Sequence, residues 1–196
     1  MTGSTGRRLR ADAQRNRERL LAEADAVFRQ DGTEASLESI ARRAGVAIGT
    51  LYGHFPNRHT LIDALLHERN QTLMDRGQEL LTGSPPAQAL TQWVHLVVEH
   101  AAAYQGLATV LADSLSDQQS QLHASCTRMT DLSDQLIANA RAVGALRQEV
   151  TGADIFTLMN AAAWSREHVS PDQADRLVAM TMAGMLTQTA STSGQG

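Results

Sequence analysis

The sequence predicts an all-α protein of about nine helices. Alanine, leucine, glutamine and arginine, which are good helix formers, fill much of the chain. Aromatic residues make up only 4% of it, whereas strands are enriched in aromatic and β-branched side chains. Apolar residues also recur at the three- and four-residue spacings of amphipathic helices. With 196 residues, the chain is long enough to bury a substantial core.

Four helices are predicted in the N-terminal part of the chain. Gly32 stops the first helix, Ser36 caps the second, and Gly45 ends it. Pro56 and Asn57 separate a short third helix from a fourth that runs toward the "TGSPP" stretch. The predicted ranges are about 11–31, 36–44, 47–54 and 57–80.

Five further helices are predicted downstream. Pro171 follows Ser170, an N-cap residue, and proline favours the first position of a helix. The predicted ranges are about Ala87–Tyr104, Leu107–Leu115, Gln118–Val143, Gly152–Ser165 and Pro171–Gln188.

The charge of the chain is unevenly distributed. The net charge is −4, but residues 1–60 carry ten Arg against seven acidic residues, and residues 61–196 carry seven Arg against fourteen. These counts give +3 and −7, which indicates a small basic module on a larger acidic body. All basic residues are Arg, which suits phosphate and guanine recognition, although codon bias explains the absence of Lys equally well.

The remaining composition indicates a cytoplasmic protein without a membrane segment. Cys126 is the sole cysteine, so no internal disulfide can form. The N-terminus lacks the apolar region of a secretory signal, and no apolar run reaches the roughly 18 residues of a membrane span.

Residues 36–54 have the pattern of a helix-turn-helix. Two short helices flank a tight turn at Gly45, and Leu51 and Phe55 would anchor the second helix. In such motifs the second helix presents its N-terminal residues to base edges in the major groove. A plain corner of a helical bundle is the alternative, because it produces the same helix–glycine–helix pattern.

The chemistry of the second helix favours contact with DNA. Gly49 costs up to about 1 kcal/mol of helix propensity relative to alanine, which is useful where the backbone approaches another molecule. Thr50, Tyr52 and His54 can each hydrogen-bond a phosphate. Arg58 opposes the macrodipole at the start of the next helix, a placement that a nearby phosphate would favour. A solvated Arg58 without a role is the alternative.

The stretch "SLESIARRAGVAIGTLYGHFPNRHTLIDALL" resembles the DNA-binding domain of TetR-family transcriptional regulators. The segments "IA", "AGV", "GTLY" and "HFPNR" occur in order and in register, and the resemblance covers about residues 12–70. It implies a flexible arm over 1–10 and a helix-turn-helix domain over 11–70. A C-terminal domain over 71–190 would bind a small molecule and form the dimer, followed by a disordered tail over 191–196.

The resemblance assigns roles to individual positions. The phosphate-contacting threonine and tyrosine of the family correspond to Thr50 and Tyr52, its histidine to His54, and its phosphate-binding lysine to Arg58. Base reading would come from the start of the second helix and from variable positions on the preceding helix. These positions are Ala47, Ile48 and Gly49, together with Glu38 and Arg42.

Three positions depart from the family pattern; those at Ala47 and Gly53 remove side-chain contacts, whereas Arg58 keeps the charge. Ala47 replaces the usual serine, Gly53 stands where larger residues are common, and arginine replaces lysine at position 58. Specificity would then depend on thymine methyl groups, on Arg42 or on DNA shape. The N-terminal arm could also reach the minor groove through its arginines, although a solvated arm is an equal alternative. These arginines are Arg7, Arg8 and Arg10.

The C-terminal part offers candidate ligand-binding residues on three helix faces. Each face combines apolar side chains with a few polar groups, as small-molecule pockets do. In a ligand site, His100 and Asn160 would be the preferred polar contacts. An ordinary core has the same pattern and remains the alternative. The faces are Trp93, Val97, His100 and Tyr104; Leu122, Cys126, Met129 and Ser133; and Met159, Asn160 and Trp164.

The last helix is a candidate dimer interface. Its stripe is wide and rich in small residues and methionine, which together with the preceding helix fits a two-fold four-helix arrangement. A helix buried within one chain is the alternative. The interface residues predicted are Leu177, Val178, Thr181, Met182 and Met185.

Enzymatic and metal-dependent functions find little support in the sequence. Cys126 and His123 lack a third group to orient them, and His95 with Glu99 lacks further metal ligands. No nucleotide or hydrolase fingerprint is present, so no cofactor, metal or catalytic residue is predicted.

The sequence therefore predicts a homodimeric repressor that a small molecule releases from a pseudo-palindromic operator in double-stranded DNA. Its half-sites would be separated by about one helical turn or a multiple of it. The alternative is a non-enzymatic helical protein that binds a small molecule or a partner without a role in transcription.

Overall fold

The computed structural model describes residues 3–120 and 122–187, with side chains described from residue 11 onward. Nine α-helices occupy this part of the chain, which confirms the predicted all-α fold. Their bounds are α1 Gly3–Asp31, α2 Leu37–Arg43, α3 Ile48–His54, α4 Arg58–Gly83, α5 Pro86–Ala101, α6 Leu107–Ser116, α7 His123–Ala142, α8 Gly152–His168 and α9 Pro171–Met185.

Local capping signals set several helix starts. The hydroxyl groups of Ser36 and Ser170 each accept a hydrogen bond from the backbone amide three residues later, and Pro171 occupies the first turn of α9. At α8, Thr151 and Asp154 form a reciprocal capping box. These residues therefore define helix starts through contacts within four residues of sequence.

The start of α7 and the end of α9 differ from the sequence prediction. Helix α7 begins at His123 rather than Gln118, because the Asp117 carboxylate accepts from the Gln119 amide in a turn. Helix α9 ends at Met185 rather than Gln188. There the backbone pairs with residues 145–147, including an isolated bridge between Leu146 and Leu186. Tertiary pairing thus stops a helix that its own sequence could continue.

Helix α1 is longer than predicted. It begins at Gly3 rather than near Ala11, and no proline interrupts the intervening residues. The side chains of the predicted minor-groove residues lie outside the described part of the chain, as does the predicted tail 191–196. Those side chains are Arg7, Arg8 and Arg10.

The chain forms two compact units. The N-terminal unit comprises Met1–Glu68 and Ala103–Ala124, and the C-terminal unit comprises Arg69–Ala102 and Ser125–Gly196. Residues 103–124, including α6, are therefore grouped with the helix-turn-helix region. A division of the chain at a single position near residue 70 does not anticipate this grouping.

The core of the N-terminal unit is built from the stripes that the sequence predicts. Helix α1 packs against α2 and α3, and large apolar side chains fill the space between them. The fully buried ones include Leu20, Phe28, Ile40, Leu51, Phe55, Leu61 and Ile62.

A second connection in the N-terminal unit joins the α1–α2 loop to residues 104–106. The Gln105 carbonyl accepts hydrogen bonds from the Thr33 amide at 2.8 Å and from its hydroxyl at 3.2 Å. Gly32 and Gly106 have φ angles of +78° and +81°. A Cβ atom at Gly106 would lie 2.8 Å from the Thr33 hydroxyl, so only glycine allows this approach.

The core of the C-terminal unit is centred on α5. Trp93 is fully buried and its indole N–H donates to the Ser133 hydroxyl at 2.8 Å. Helix α5 packs against α8 and α9, which also pack against each other. Across the described residues, no helix combines the length and the apolar character that crossing a membrane requires.

Candidate nucleic-acid interface

The turn between α2 and α3 is set by Gly45. Its φ angle is +67°, and its amide donates to the Arg42 carbonyl at 3.1 Å while the Val46 amide donates to the Ala41 carbonyl at 3.0 Å. This pair of bonds is a Schellman motif, which ends α2 through a left-handed residue. The turn fixes the direction in which α3 leaves α2.

Two buried side chains anchor α3. Leu51 and Phe55 are buried, and the Arg17 guanidinium lies 5.5 Å from the centre of the Phe55 ring. Helix α3 packs against both α1 and α2. One face of this short helix is thus held by the core, and the opposite face is available for contact.

The outward face of α3 is small and accessible. Tyr52 is 45% exposed, and Ala47, Gly49 and Gly53 are exposed as well. A Cβ atom at Gly49 or Gly53 would meet no atom of the protein within 4 Å, and neither glycine has a positive φ angle. The fold itself therefore requires neither glycine. The side chains of Ile48, Thr50 and His54 are half-buried.

Arg58 is held by the α1–α2 loop. Its Nη1 donates to the carbonyl of Ala35 at 2.7 Å and also to the carbonyl of Thr33. The preceding residue, Asn57, caps α4 by accepting from the Thr60 amide at 2.9 Å. The sequence predicts a phosphate contact for Arg58 but gave no indication of these two carbonyl partners, which come from a loop more than twenty residues upstream.

Helix α2 supplies two charged side chains of opposite sign beside α3. Arg42 is exposed, and its nearest polar contact is the Ser39 hydroxyl at 3.5 Å. The pKa of Glu38 is lowered by a hydrogen bond from its own backbone amide and by the Ser36 hydroxyl, which donates to it at 2.8 Å. Glu38 is therefore ionised at neutral pH.

Comparison with known proteins gives matches over both halves of the chain. The family profile described as "Bacterial regulatory proteins, tetR family" matches residues 20–65. The profile described as "Transcriptional regulator SbtR-like, C-terminal domain" matches residues 85–187, which is more than half of the chain. The chain belongs to the TetR family of bacterial transcriptional regulators.

Solved structures agree with this assignment. A TetR transcriptional regulator from Streptomyces coelicolor is 32% identical, with a TM-score of 0.59 and coverage of 88% of this chain and 99% of that chain. A TetR regulatory protein from Mycobacterium vanbaalenii is 30% identical, with a TM-score of 0.51 and coverage of 91% and 99%.

Curated relatives match over shorter stretches. The HTH-type transcriptional repressor KstR of Mycolicibacterium smegmatis is 36% identical over 85 residues, which are 42% of this chain and 42% of KstR. The HTH-type transcriptional regulator SrpR of Pseudomonas putida is 28% identical over 155 residues, which are 76% of this chain and 68% of SrpR. The chain thus spans less than half of the length of KstR. A helical protein without a transcriptional role is not favoured.

The predicted ligand residues of this TetR-family chain are not all brought together. Trp93, Cys126 and Met129 are buried in the C-terminal unit, and Val97 is half-buried. Tyr104, in contrast, belongs to the N-terminal unit, because α5 ends at Ala101 and residue 104 leaves the helix face. Its hydroxyl donates to Asp25 rather than lining a site with Trp93.

Two of the predicted ligand residues on α8, Asn160 and Trp164, also lie away from the buried face of that helix. Trp164 is 58% exposed and stacks on His168 with ring centres 4.8 Å apart. The amide of Asn160 donates to the Phe156 carbonyl one turn earlier, at 3.1 Å. The residues of α8 that are buried lie on a different face of the helix and include Ile155, Leu158, Met159, Ala162 and Ala163.

His100, predicted as a polar ligand contact, is buried and carries an unpartnered atom. It is 4% exposed, and its Nε2 has no hydrogen-bond partner. Burial, and secondarily the nearby Arg69 cation, lower its pKa to about 4. Asn70 is buried too, with an unpartnered Oδ1, and the sequence prediction omitted it. Its position within an apolar stripe of α4, between Leu66 and Leu73, is a signal that could have identified it.

The predicted dimer residues divide between two environments. Val178 and Met182 are fully buried within the chain, so their side chains belong to the intramolecular core. This is the alternative that the sequence left open for α9. The other three are half-buried: Leu177, Thr181 and Met185.

The pair that the sequence considered for a metal site, His95 and Glu99, lies beside side chains of α8 and α9. His95 lies 3.8 Å from Asp175, and Glu99 lies 3.8 Å from Arg166. Arg166 also pairs with Asp175 at 3.2 Å. These four side chains form a polar cluster on the C-terminal unit.

Proposed function

We propose that this TetR-family protein is a homodimeric repressor that binds double-stranded DNA and releases it when a small molecule binds. The observation that carries the proposal is the outward face of α3. Its two glycines are not required by the fold, and Leu51 and Phe55, which anchor the helix, are buried on the opposite side. A surface of this kind can approach a base-pair edge closely.

The proposed DNA contacts divide into reading and positioning. Ala47, Ile48 and Gly49 would lie against base edges, with Ile48 suited to a thymine methyl group. Arg42 would reach a guanine edge from α2. Because Glu38 is ionised and can only accept hydrogen bonds, a cytosine amino group suits it and a phosphate does not.

Phosphate contacts would hold α3 in the groove. Thr50, Tyr52 and His54 supply hydrogen bonds, and Arg58 supplies positive charge. The carbonyls of Thr33 and Ala35 orient the Arg58 guanidinium, which leaves its other N–H groups available to a phosphate. Arg58 would thus couple the position of the α1–α2 loop to the strength of the DNA contact.

Dimer formation through α8 and α9 is supported by their exposed apolar side chains. Phe156 and Trp164 on α8 and Met180 on α9 are exposed, with Met180 at 76%. The two helices pack against each other and would form a four-helix arrangement with a second copy. The half-buried Leu177, Thr181 and Met185 would lie at its edge.

The C-terminal unit would bind the effector. A ligand that binds better to one conformation of the dimer shifts the spacing of the two recognition helices, and a coupling of about 1–3 kcal/mol changes occupancy substantially. No catalysis is part of this function, and a repressor of this kind acts in the cytoplasm. The Arg-rich residues 1–10, which belong to α1 from Gly3 onward, would add minor-groove contacts.

The decisive experiment measures binding to the DNA that flanks the protein's own gene. Fluorescence anisotropy should give a Kd for this duplex at least about a thousand-fold lower than for a random duplex of equal length. Tyr52→Ala should weaken binding to both duplexes, since a phosphate contact carries no sequence information. Equal affinity of the wild-type protein for both duplexes would contradict a sequence-specific regulator.

A further inference from the structure

Helices α4 and α5 each bury a polar atom without a hydrogen-bond partner among the described residues. Asn70 on α4 is 6% exposed and His100 on α5 is 4% exposed. The Oδ1 of Asn70 and the Nε2 of His100 each lack a hydrogen-bond partner. A buried polar atom without a partner is energetically unfavourable, so one on each of two consecutive helices points to a group that can pair with both.

The register of α4 and α5 indicates that these residues lie at the same level. Ser84 and Pro85 alone separate the two helices, a loop length typical of an antiparallel helical hairpin. Gly77 meets Trp93 across it, because a Cβ atom at Gly77 would lie 2.6 Å from Trp93 Cζ3. Asn70 lies seven residues before Gly77 and His100 lies seven residues after Trp93. Seven residues are about two helical turns, so both side chains recur on the facing sides at the same level.

The electrostatics of His100 support the same placement. The Arg69 cation, adjacent to Asn70, lowers the pKa of His100 in addition to the effect of burial. The guanidinium therefore lies within electrostatic reach of the ring. The imidazole is neutral at physiological pH, and the Nε2 of a neutral imidazole can donate or accept a hydrogen bond.

The two unpartnered atoms together define the complementary group. Asn70 Oδ1 can only accept, so its partner must donate. A hydroxyl group can donate to Asn70 while it accepts from the Nε2–H of His100. A ketone, ester or carboxylate cannot donate and would leave Asn70 unpartnered, and an ammonium group would be repelled by Arg69.

The other buried residues of this hairpin are mainly apolar. Those of the C-terminal unit are Leu73, Leu80, Ala89, Leu90, Trp93, Val94, Val98 and Ala101. A molecule that enters between these helices would therefore be mostly hydrocarbon.

We propose that Asn70 and His100 bind the hydroxyl group of a neutral, mainly apolar effector. This inference rests on the proposed function, because it names the chemical class of the small molecule that the regulator senses. Asn70 and His100 would be the residues that distinguish an alcohol from the corresponding ketone, and the apolar neighbours would accept either carbon skeleton.

The test compares alcohols with ketones of the same skeleton in the absence of DNA. The probes are cyclohexanol with cyclohexanone, and 2-octanol with 2-octanone. Kd values come from ligand-observed NMR titration of the full chain, and the ¹⁵N resonance of His100 Nε2 reports the location. Asn70→Leu and His100→Leu remove the polar atoms at similar volume. Asn139→Leu and His67→Leu are matched controls, because both positions are exposed.

For at least one skeleton, the alcohol should bind about ten-fold more tightly than the ketone, the effect of one satisfied buried hydrogen bond. The alcohol should also shift His100 Nε2. The preference should fall below about two-fold in both core variants and persist in both controls. Both core replacements exchange an unpartnered polar atom for hydrocarbon, so their folding can be checked by circular dichroism alongside.

Three results would overturn the inference: equal affinity for alcohol and ketone, no binding of any probe, or a preference that survives both core replacements. Occupation of the site by water alone would give the second result. Since no DNA is present, a failure of operator binding in a separate experiment would contradict the proposed function without affecting this outcome.

Discussion

The hydroxyl of Tyr104 donates a 2.6 Å hydrogen bond to the carboxylate of Asp25, a residue 79 positions earlier in the chain. Tyr104 also meets Phe28 edge to face, with ring centres 6.1 Å apart, and Arg29 lies over the tyrosine ring at 5.7 Å. Arg29 in turn pairs with Asp25 at 2.9 Å. This cluster fixes residues 104–106 to the end of α1, next to the loop whose carbonyls orient Arg58.

Replacement of Tyr104 by phenylalanine should destabilise the protein by about 1–3 kcal/mol, since it removes a hydrogen bond to a charged and partly buried acceptor. The edge-to-face contact with Phe28 would be retained. Urea unfolding at pH 7.5 measures the change. Tyr52→Phe, at an exposed tyrosine, is the matched control and should leave stability within about 0.5 kcal/mol. Equal effects of the two replacements would show that the Asp25 bond contributes nothing.

Gly49→Ala should separate stability from DNA binding. The added Cβ meets no atom of the protein, so the variant should be more stable by up to about 1 kcal/mol. The same methyl group should weaken operator binding about ten-fold or more if the backbone of α3 approaches a base edge. Thermal unfolding and anisotropy measure the two effects.

Two further glycines are controls for this prediction. Gly53→Ala should stabilise the protein without weakening operator binding, because the family commonly carries larger residues at that position. Gly45→Ala should destabilise it by about 1 kcal/mol or more, since its φ angle is +67°. Unchanged operator affinity in Gly49→Ala would refute a close approach of DNA at that position.

Arg58→Met should lower both the stability of the protein and its affinity for DNA. It removes the two hydrogen bonds to the α1–α2 loop, with an expected loss of about 1–3 kcal/mol. It should also weaken binding to specific and random duplexes alike, and make the slope of log K against log salt shallower by up to about one unit.

Arg42→Met is the matched control for Arg58→Met. Arg42 makes only a 3.5 Å contact with Ser39, so its replacement should leave stability within about 0.5 kcal/mol. It should reduce discrimination between operator variants more than the affinity for random DNA. A wild-type salt slope in a destabilised Arg58→Met variant would mean that Arg58 braces the loop and binds no phosphate.

The buried imidazole of His100 makes stability depend on pH. Burial lowers its pKa from 6.5 to about 4, so between these values the unfolded chain binds the proton more readily than the folded one. Its contribution is complete above about pH 6.5 and is lost as the pH falls toward 4. Between pH 7.5 and pH 5 the loss should be about 2 kcal/mol.

His100→Leu isolates this effect. The variant lacks the titrating group, so its free energy of unfolding should fall less than that of the wild type when urea titrations are repeated at pH 7.5 and pH 5. An identical fall in both proteins would show that the low pKa of His100 does not govern stability in this range.

Trp164→Arg tests the proposed dimer. A charged side chain at an exposed tryptophan of α8 should raise the dimer dissociation constant about a hundred-fold or more, because tryptophan is enriched among the residues that dominate interfaces. Val143→Arg, at an exposed apolar residue after α7, should leave the dimer intact. Sedimentation velocity over a range of concentrations measures both. The same association constant in both variants would remove Trp164 from the interface.

Much of the fold could be predicted because the helices are encoded by neighbouring residues. Ser36, Gly45 and Pro171 act within one turn of sequence, and each lies where the prediction placed a helix boundary. The candidate DNA-binding surface was also accessible to prediction. Residues 48–54 form one short helix, so the register of that helix alone determines which of them face the core.

The ligand-binding and dimer residues were harder to predict, because the spacing of residues on a helix does not determine which neighbouring element covers each face. Trp93 and Trp164 both lie on apolar stripes, yet one is fully buried and the other is 58% exposed. Val178 and Met182 pack within their own chain for the same reason. Asn70 was missed because an amide in an apolar stripe becomes significant only once its burial is known.

The sequence by itself determined the helical class, most helix boundaries, the helix-turn-helix and the family. All of these depend on contacts between residues close in sequence or on motifs read in register. Only the tertiary structure decided which residues meet over long separations. It joined Tyr104 to Asp25 and Arg58 to the α1–α2 loop. Such contacts follow from how whole helices pack, because burial and hydrogen-bond partners are properties of the assembled chain rather than of any one segment.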